Sequence, residues 1–235
     1  MSFDHVLPSE GSRRRLTVIG KEALAFARQA ALMARDVNGA SPSVALERED
    51  VVVLLHGLFA SAGVLRPLSQ YIEKTAEAHT ASFSYPPGPG VHSVARRLGR
   101  VLASLPSRAR LHLVGHSLGG VVARWFVQEL GGDPRIVQTI SLGSPFNGTR
   151  TARFMPTTAG RDITPDSRVL RRLAERPNLA IPHLSVAAGD DTVITEPAVF
   201  GHGQRVLVEG CGHNGLLFDR RVASLVAQRV LATRE

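Results

Sequence analysis

The sequence contains little cysteine and little lysine, and it has no long apolar run. Cys211 is the single cysteine in 235 residues, so no disulfide can form within the chain, which is typical of a reducing compartment. Charge or glycine interrupts every apolar run before the ~18 residues that a membrane span needs. Lys21 and Glu22 also interrupt the apolar stretch that an export signal would require. We therefore expect a cytoplasmic protein, with secretion as the alternative.

The sequence also lacks the motifs of metal, phosphate and nucleic-acid sites. His202 and His213 have no ligand partners at regular spacing, and no glycine-rich phosphate loop is present, so we expect neither a metal nor a cofactor. With only two lysines, the net charge of +8 comes from arginine. The arginines are dispersed and are not interleaved with aromatic residues, which indicates solvated faces and no nucleic-acid partner. The oligomeric state is not indicated.

The amino-terminal part of the chain predicts one helix and a linker. Residues 1–12 are polar and turn-rich, as in a loose terminus. Apolar residues then recur every three or four positions from Ser12 to Val37, which predicts an amphipathic helix. We expect this helix to pack against the domain, the alternative being contact with an anionic membrane. Residues 1–46 are thus predicted to be a helix and linker, and residues 47–235 a catalytic domain.

The rest of the chain alternates between strands and helices. Continuous or near-continuous apolar runs predict strands at 51–55, 80–85, 111–114, 135–142, 183–188 and 205–209, with helical patterns between them. Such alternation predicts a single α/β domain with a mainly parallel sheet and helices on both faces. Because ligands bind such sheets at the carboxyl ends of the strands, the functional residues are expected there.

A Gly-x-Ser-x-Gly turn at residues 115–119 follows the predicted strand 111–114 and precedes a helical pattern. In this context the motif predicts a nucleophile elbow, a strained turn that exposes a serine hydroxyl above the sheet. Gly115 and Gly119 are expected where any side chain would collide across the turn. Ser117 is therefore the candidate nucleophile.

A serine nucleophile needs a histidine base, and the base needs a carboxylate that fixes its tautomer. His213 follows the last predicted strand in a glycine-rich turn and is the candidate base. Asp190 and Asp191 both lie in the loop before it, and only one of them can face the histidine. We favour Asp191, with Asp190 as the alternative. His116, next to the nucleophile, is expected to be a structural or pocket-wall residue.

The negative oxygen of a tetrahedral intermediate needs backbone N–H donors. Leu118, at the start of the helix after the serine, is expected to supply one, and Leu58, after His56-Gly57, the other. Phe59, His116 and Phe146 are the predicted substrate-pocket residues.

Five motifs together resemble the α/β-hydrolase fold family, and within it the bacterial serine esterases and lipases. They are His-Gly-Leu at 56–58, Gly-His-Ser-Leu-Gly-Gly at 115–120, Leu-Gly-Ser-Pro-Phe-Asn-Gly-Thr at 142–149, Asp-Asp-Thr-Val at 190–193 and Gly-His-Asn-Gly-Leu at 212–216. The resemblance implies a carboxylester hydrolase that forms an acyl-enzyme from esters with an apolar acyl group. Thioesterase or acyltransferase activity with the same triad is the alternative, and a non-catalytic binding module is a third interpretation.

Residues 146–181 lie where this family inserts a lid. The segment combines apolar residues with seven arginines. It could therefore form an acyl-facing wall and approach an anionic lipid surface. An ordinary solvated helix face is the equally weighted alternative.

Overall fold

The computed structural model describes residues 3–8, 16–34, 49–175, 180–194 and 200–234. In this part of the chain seven strands form one sheet, and every neighbouring pair is parallel. The strands are β1 (His5–Leu7), β2 (Asp50–Leu55), β3 (His79–Ser82), β4 (Arg110–His116), β5 (Ile136–Leu142), β6 (His183–Ala188) and β7 (Gln204–Val208). Their order across the sheet is β1-β7-β6-β5-β4-β2-β3. The predicted parallel α/β sheet is thus confirmed.

Helices cover both faces of the sheet. They are α1 (Leu16–Ala34), α2 (Arg66–Thr75), α3 (Val91–Ala103), α4 (Leu118–Glu129), α5 (Thr158–Asp162), α6 (Arg168–Glu175) and α7 (Arg220–Leu231). Three 3-10 turns, at Ala62–Leu65, Arg150–Phe154 and Asn214–Leu217, complete the helical structure described. None of these helices combines the length and the apolar character that a membrane span needs.

Two apolar cores lie on opposite faces of the sheet because alternate residues of each strand point to opposite sides. Val51, Val53 and Leu55 of β2 face α3, α4 and α6 in one core. Val52 and Leu54 face α2 and α7 in the other. All six residues of β2 are buried, as its continuously apolar run predicted.

The amino-terminal residues differ from the predicted loose terminus. His5, Val6 and Leu7 pair in parallel register with Val206, Leu207 and Val208 and form an edge strand of the sheet. The predicted boundary between residues 46 and 47 lies outside the described residues, so the domain division stays a prediction.

The lid segment contains two short helices, α5 and α6, but its apolar residues do not form one wall. Leu170 and Leu173 of α6 are buried in the core beside α4, whereas Phe154 is 89% exposed. Arg172 pairs with Glu129 of α4 at 2.6 Å, which holds α6 against the domain. Residues 176–179 lie outside the described part of the chain. In its described part the segment therefore packs against the domain through α6, and Phe154 of its 3-10 turn is an exposed large apolar side chain.

Candidate active site

Ser117 lies at the sharp turn between β4 and α4. Its φ of 52° and ψ of −121° belong to a conformation that a non-glycine residue adopts only under strain. A Cβ on Gly115 would lie 2.2 Å from the backbone of Gly119, and a Cβ on Gly119 would lie 2.4 Å from the Leu55 carbonyl. Both glycines are therefore required by close backbone approach, as the sequence predicted.

His213 and Asp191 form a hydrogen-bonded pair beside this turn. Nδ1 of His213 lies 2.8 Å from Oδ2 of Asp191, and both side chains are 5% exposed. The other carboxylate oxygen accepts the backbone N–H groups of Val193 at 2.9 Å and Ile194 at 2.7 Å. These bonds fix the carboxylate, so the structure brings Asp191 to the candidate base in the orientation that a triad needs.

Asp190, the alternative acid, points elsewhere. Its Oδ2 accepts the N–H of Gly210 at 3.1 Å, and the residue is exposed. Asp190 therefore links the loop after β6 to the loop after β7. The geometry favours Asp191 as the partner of His213.

The nucleophile and the base both approach the end of β5. The N–H of Ser117 donates to the carbonyl of Leu142 at 2.8 Å. The next residue, Gly143, has φ of 61°, and a Cβ there would lie 3.2 Å from Nδ1 of His213. In the described part of the chain no hydrogen bond joins the Ser117 hydroxyl to His213, and such bonds commonly tighten only when substrate binds.

His116 supports the loop of the candidate base. Its Nε2 donates to the carbonyl oxygen of His213 at 3.1 Å. Burial, together with neighbouring His213, lowers the pKa of His116 to about 3, so the ring is neutral at physiological pH. A group with so low a pKa is a poor proton acceptor, which favours the structural role predicted for His116 over a role as base.

The two predicted oxyanion donors belong to two different segments next to Ser117. The N–H of Leu118 is the first amide of α4, and the first amides of a helix have no carbonyl partner within it. In the other segment, a Cβ on Gly57 would lie 3.1 Å from Cβ of Ser117, so the loop that carries Leu58 packs against the nucleophile. Both predicted donors therefore belong to segments next to the nucleophile, and their role as an oxyanion hole stays a prediction.

Tyr85, which sequence reasoning missed as a site residue, holds this loop. Its N–H donates to Nε2 of His56 at 3.1 Å, and its hydroxyl donates to the His56 carbonyl. Because Nε2 accepts, Nδ1 carries the ring proton and donates to the Gly57 carbonyl at 2.7 Å. The two rings stack with centroids 3.8 Å apart. The sequence pattern does not indicate this contact, because it predicts Tyr85 as the last residue of a strand.

The predicted pocket aromatics have different environments. Phe59, with φ of 59°, is 53% exposed beside Leu58. Phe146 is 8% exposed and packs against His183 and Phe200, with ring centroids 5.6 Å and 5.1 Å away. The contacts described for Phe146 are thus core contacts, and its part in a substrate pocket stays a prediction. In the described residues no group of three His, Cys, Asp or Glu side chains could hold a metal ion.

Comparison with known proteins identifies a family and several solved structures with the same fold. A family model described as palmitoyl protein thioesterase matches residues 51–180, more than half of the chain. The match includes Ser117 and ends before Asp191 and His213.

Three solved structures show the same fold at low identity. The mature lipase BlEst2 of Bacillus licheniformis has 13% identity and a TM-score of 0.63, over 82% of this chain and 96% of that one. An esterase of Pyrobaculum calidifontis has 13% identity and a TM-score of 0.58, over 93% of each chain. The thioesterase RedJ of Streptomyces coelicolor has 18% identity and a TM-score of 0.56, over 86% and 94%.

Proposed function

The chain belongs to the palmitoyl protein thioesterase family, and from this membership we propose that it hydrolyses esters of apolar acyl groups through Ser117, Asp191 and His213. Membership makes the protein a hydrolase with an α/β-hydrolase fold. The observation that carries the finer proposal is the 2.8 Å bond between Asp191 and His213 beside the strained Ser117 turn. No cofactor is required for this chemistry.

The proposed reaction proceeds through an acyl-enzyme. Oγ of Ser117 attacks the ester carbonyl while Nε2 of His213 takes its proton, and Asp191 stabilises the imidazolium through Nδ1. The N–H groups of Leu58 and Leu118 stabilise the negative oxygen of the tetrahedral intermediate. His213 then donates the proton to the leaving alcohol, and a water molecule activated by the same histidine releases the acid and restores Ser117.

The apolar character of the surroundings supports an apolar acyl group. Leu58 is half-buried, and the next residue, Phe59, is 53% exposed, so the loop of this candidate donor carries apolar surface. A desolvated acyl chain gains free energy against such surfaces at roughly 25 cal/mol per Å² of apolar area buried. Activity should therefore rise with acyl length until the chain exceeds the surface available to it.

A thioester substrate is the second candidate, and the description of the matching family favours it. The same residues serve both reactions, since a thiolate leaves more readily than an alkoxide and needs less help from His213. Acyl transfer uses the same triad and differs only in the acceptor, an alcohol or thiol in place of water.

Matched pairs of oxygen esters and thioesters with the same acyl chain test these proposals. We expect wild-type protein to react stoichiometrically with a fluorophosphonate at Ser117 and to hydrolyse nitrophenyl esters, with kcat/KM rising along an acyl-length series. A higher kcat/KM for the thioester of each pair would select the thioesterase proposal. The absence of both labelling and turnover would contradict either reaction and support a binding module.

We also propose that the exposed turn of the lid segment contacts anionic lipid surfaces. Phe154 is 89% exposed, and Arg150 and Arg153, which lie on the same 3-10 turn, are exposed beside it. Arg153 has only a solvated carboxylate partner, Asp166 at 3.4 Å. An apolar ring flanked by exposed cations fits a membrane interface with negative headgroups.

Binding to vesicles tests this surface. Replacing Arg150 and Arg153 with Gln should weaken binding to phosphatidylserine-containing vesicles roughly 30-fold, because each arginine near such a surface contributes about 1 kcal/mol. Added salt should weaken wild-type binding in the same direction. The measurement is co-sedimentation, with turnover of a short soluble ester as the check on the active site.

A matched control replaces two exposed arginines outside the lid segment, Arg100 at the end of α3 and Arg108 before the amino-terminal end of β4. This variant should bind vesicles as the wild type does. Equal losses in both double variants would indicate a general effect of net charge. If the wild type binds anionic and neutral vesicles equally, the proposal is wrong and the turn is an ordinary solvated surface.

A further inference from the structure

Glu22 of the amino-terminal helix reaches the loop of the candidate base. Its Oε1 accepts the backbone N–H of Asn214 at 2.7 Å and the side-chain Nδ2 of Asn214 at 2.9 Å. Its Oε2 accepts the N–H of Gly215 at 3.1 Å. One carboxylate thus binds three donors in the two residues that follow His213, across 192 positions of sequence.

The contact depends on where α1 packs. The helix contacts the 3-10 turns Ala62–Leu65 and Asn214–Leu217. Ala25 and Gln29 are buried and Glu22 is half-buried, at spacings that place them on one face of the helix. The face directed at the domain therefore carries a carboxylate at the position nearest the candidate active site.

The loop after His213 presents backbone N–H groups to the carboxylate of Glu22. Asn214 and Gly215 begin a 3-10 turn, and the first amides of such a turn have no partner within it. A carboxylate that accepts them forms charge-assisted hydrogen bonds at the positive end of the turn. A Cβ on Gly212 would lie 2.4 Å from Oε2 of Glu22, so the glycine leaves the space that the carboxylate occupies.

His213 is consequently held at three places. Asp191 binds its ring at 2.8 Å, His116 binds its carbonyl at 3.1 Å, and Glu22 binds the two amides that follow it. Leu216 and Leu217 are buried in the core further along the turn, and Glu22 binds the two amides between them and His213. Loss of Glu22 would leave the half-buried donors of Asn214 and Gly215 unpaired and allow the turn to shift.

We propose that Glu22 is a positioning residue for the His213 base, and that α1 is therefore part of the active-site architecture. The inference rests on the proposed function, since it assigns His213 the role of base. A misplacement of about 1 Å in a reacting group can cost about 10²-fold in rate. The role of Glu22 should thus be visible in kcat while substrate binding is preserved.

A graded series at this position tests the proposal. Glu22→Ala should lower kcat for a nitrophenyl ester about 10²-fold and change KM less than about twofold, because the base is displaced and the acyl surface is not. Glu22→Gln should fall between this variant and the wild type. Its amide oxygen can keep both bonds from Asn214, but its NH₂ group would oppose the N–H of Gly215.

Gln29→Ala is the matched control, because Gln29 is buried on the same face of α1 two turns away from Glu22. It should lower the melting temperature through weaker packing of α1 and leave kcat unchanged. A loss of kcat in this control equal to that in Glu22→Ala would show that docking of the helix, and not the carboxylate, matters, and would overturn the proposal.

Gly212→Ala gives an independent test, since its methyl group would displace the carboxylate of Glu22. Alone it should lower kcat as Glu22→Ala does. In the Glu22→Ala background it should have little further effect, because the clashing group is absent, so the two substitutions should be strongly non-additive. Additive losses would overturn the proposal.

The outcomes also separate this inference from the proposed function. Wild-type kcat in folded Glu22→Ala would overturn the positioning role alone, with the Ser117-dependent reaction intact. An absence of Ser117-dependent hydrolysis in the wild type would overturn the proposed function, and the role of Glu22 with it.

Discussion

Ser117→Ala is expected to lower kcat for ester hydrolysis by about 10⁴ to 10⁶-fold, because the residues of a triad act as a unit and loss of the nucleophile removes the acyl-enzyme. Substrate binding should be largely kept, so KM should change little. The measurement is turnover of a nitrophenyl ester, together with mass spectrometry of the fluorophosphonate adduct. The adduct should be absent from the variant.

Ser117→Gly provides a control that separates chemistry from folding. Both variants lack the hydroxyl, so both should be equally inactive. The φ of 52° at this position is strained for alanine and unstrained for glycine. The glycine variant should therefore melt at a higher temperature than the alanine variant. Retention of more than about a tenth of the wild-type rate in either variant would remove Ser117 from the mechanism.

The central strands and the elbow could be predicted because their determinants are local. A continuously apolar run such as Val51–Leu55 fits only a position with both faces covered, and β2 is buried throughout. Gly115 and Gly119 were predicted from the close approach that a strand-turn-helix requires. In each case the physical cause lies within a few residues of its effect.

Contacts between distant parts of the chain were not predictable in this way. The edge strand His5–Leu7 has only three residues, and its pairing partner lies about two hundred positions away. In the sequence Lys21 and Glu22 indicate only an interruption of an apolar stretch, whereas in the structure Glu22 binds the loop after His213. The role of a half-buried carboxylate depends on the hydrogen-bond donors around it in the folded protein. These donors lie far from Glu22 in the sequence, so the local pattern does not predict them.

The ends of β3 and α7 also differ from the predicted ends, because contacts outside the local pattern determine them. The strand predicted to reach Tyr85 ends at Ser82, and the Tyr85 ring is stacked on His56. The apolar pattern at 216–232 predicts a closing helix, and in the structure this helix begins at Arg220, where the side chain of Asp219 caps it by accepting the N–H of Arg221. Leu216 and Leu217, the first residues of the predicted helix, instead belong to the 3-10 turn Asn214–Leu217 that Glu22 binds.

Asp191, favoured from the sequence, is not separated from Asp190 by a local pattern, because each is followed three residues later by a branched apolar residue. The structure distinguishes them by their hydrogen-bond partners. Asp191 accepts from His213 and from two backbone amides, whereas exposed Asp190 accepts from Gly210. Because of this difference, a substitution of Asp191 is expected to lower kcat far more than one of Asp190.

Asp191→Asn is expected to lower kcat on the order of 10⁴-fold, as loss of the orienting carboxylate does in other triads. The amides of Val193 and Ile194 donate to Oδ1, so an asparagine would direct its oxygen to them and its NH₂ group to His213. Nδ1 would then have to accept, and the proton would sit on Nε2. A ring in that tautomer cannot take the proton of Ser117.

Asp190→Asn is the matched control for this substitution. The asparagine oxygen can still accept the N–H of Gly210, so the turn should be kept and kcat should stay within about threefold of the wild type. Steady-state kinetics on one soluble ester compares the two variants, with melting temperature as the check on folding. The reverse ranking would assign the orienting carboxylate to Asp190 and would require the two loops to rearrange when substrate binds.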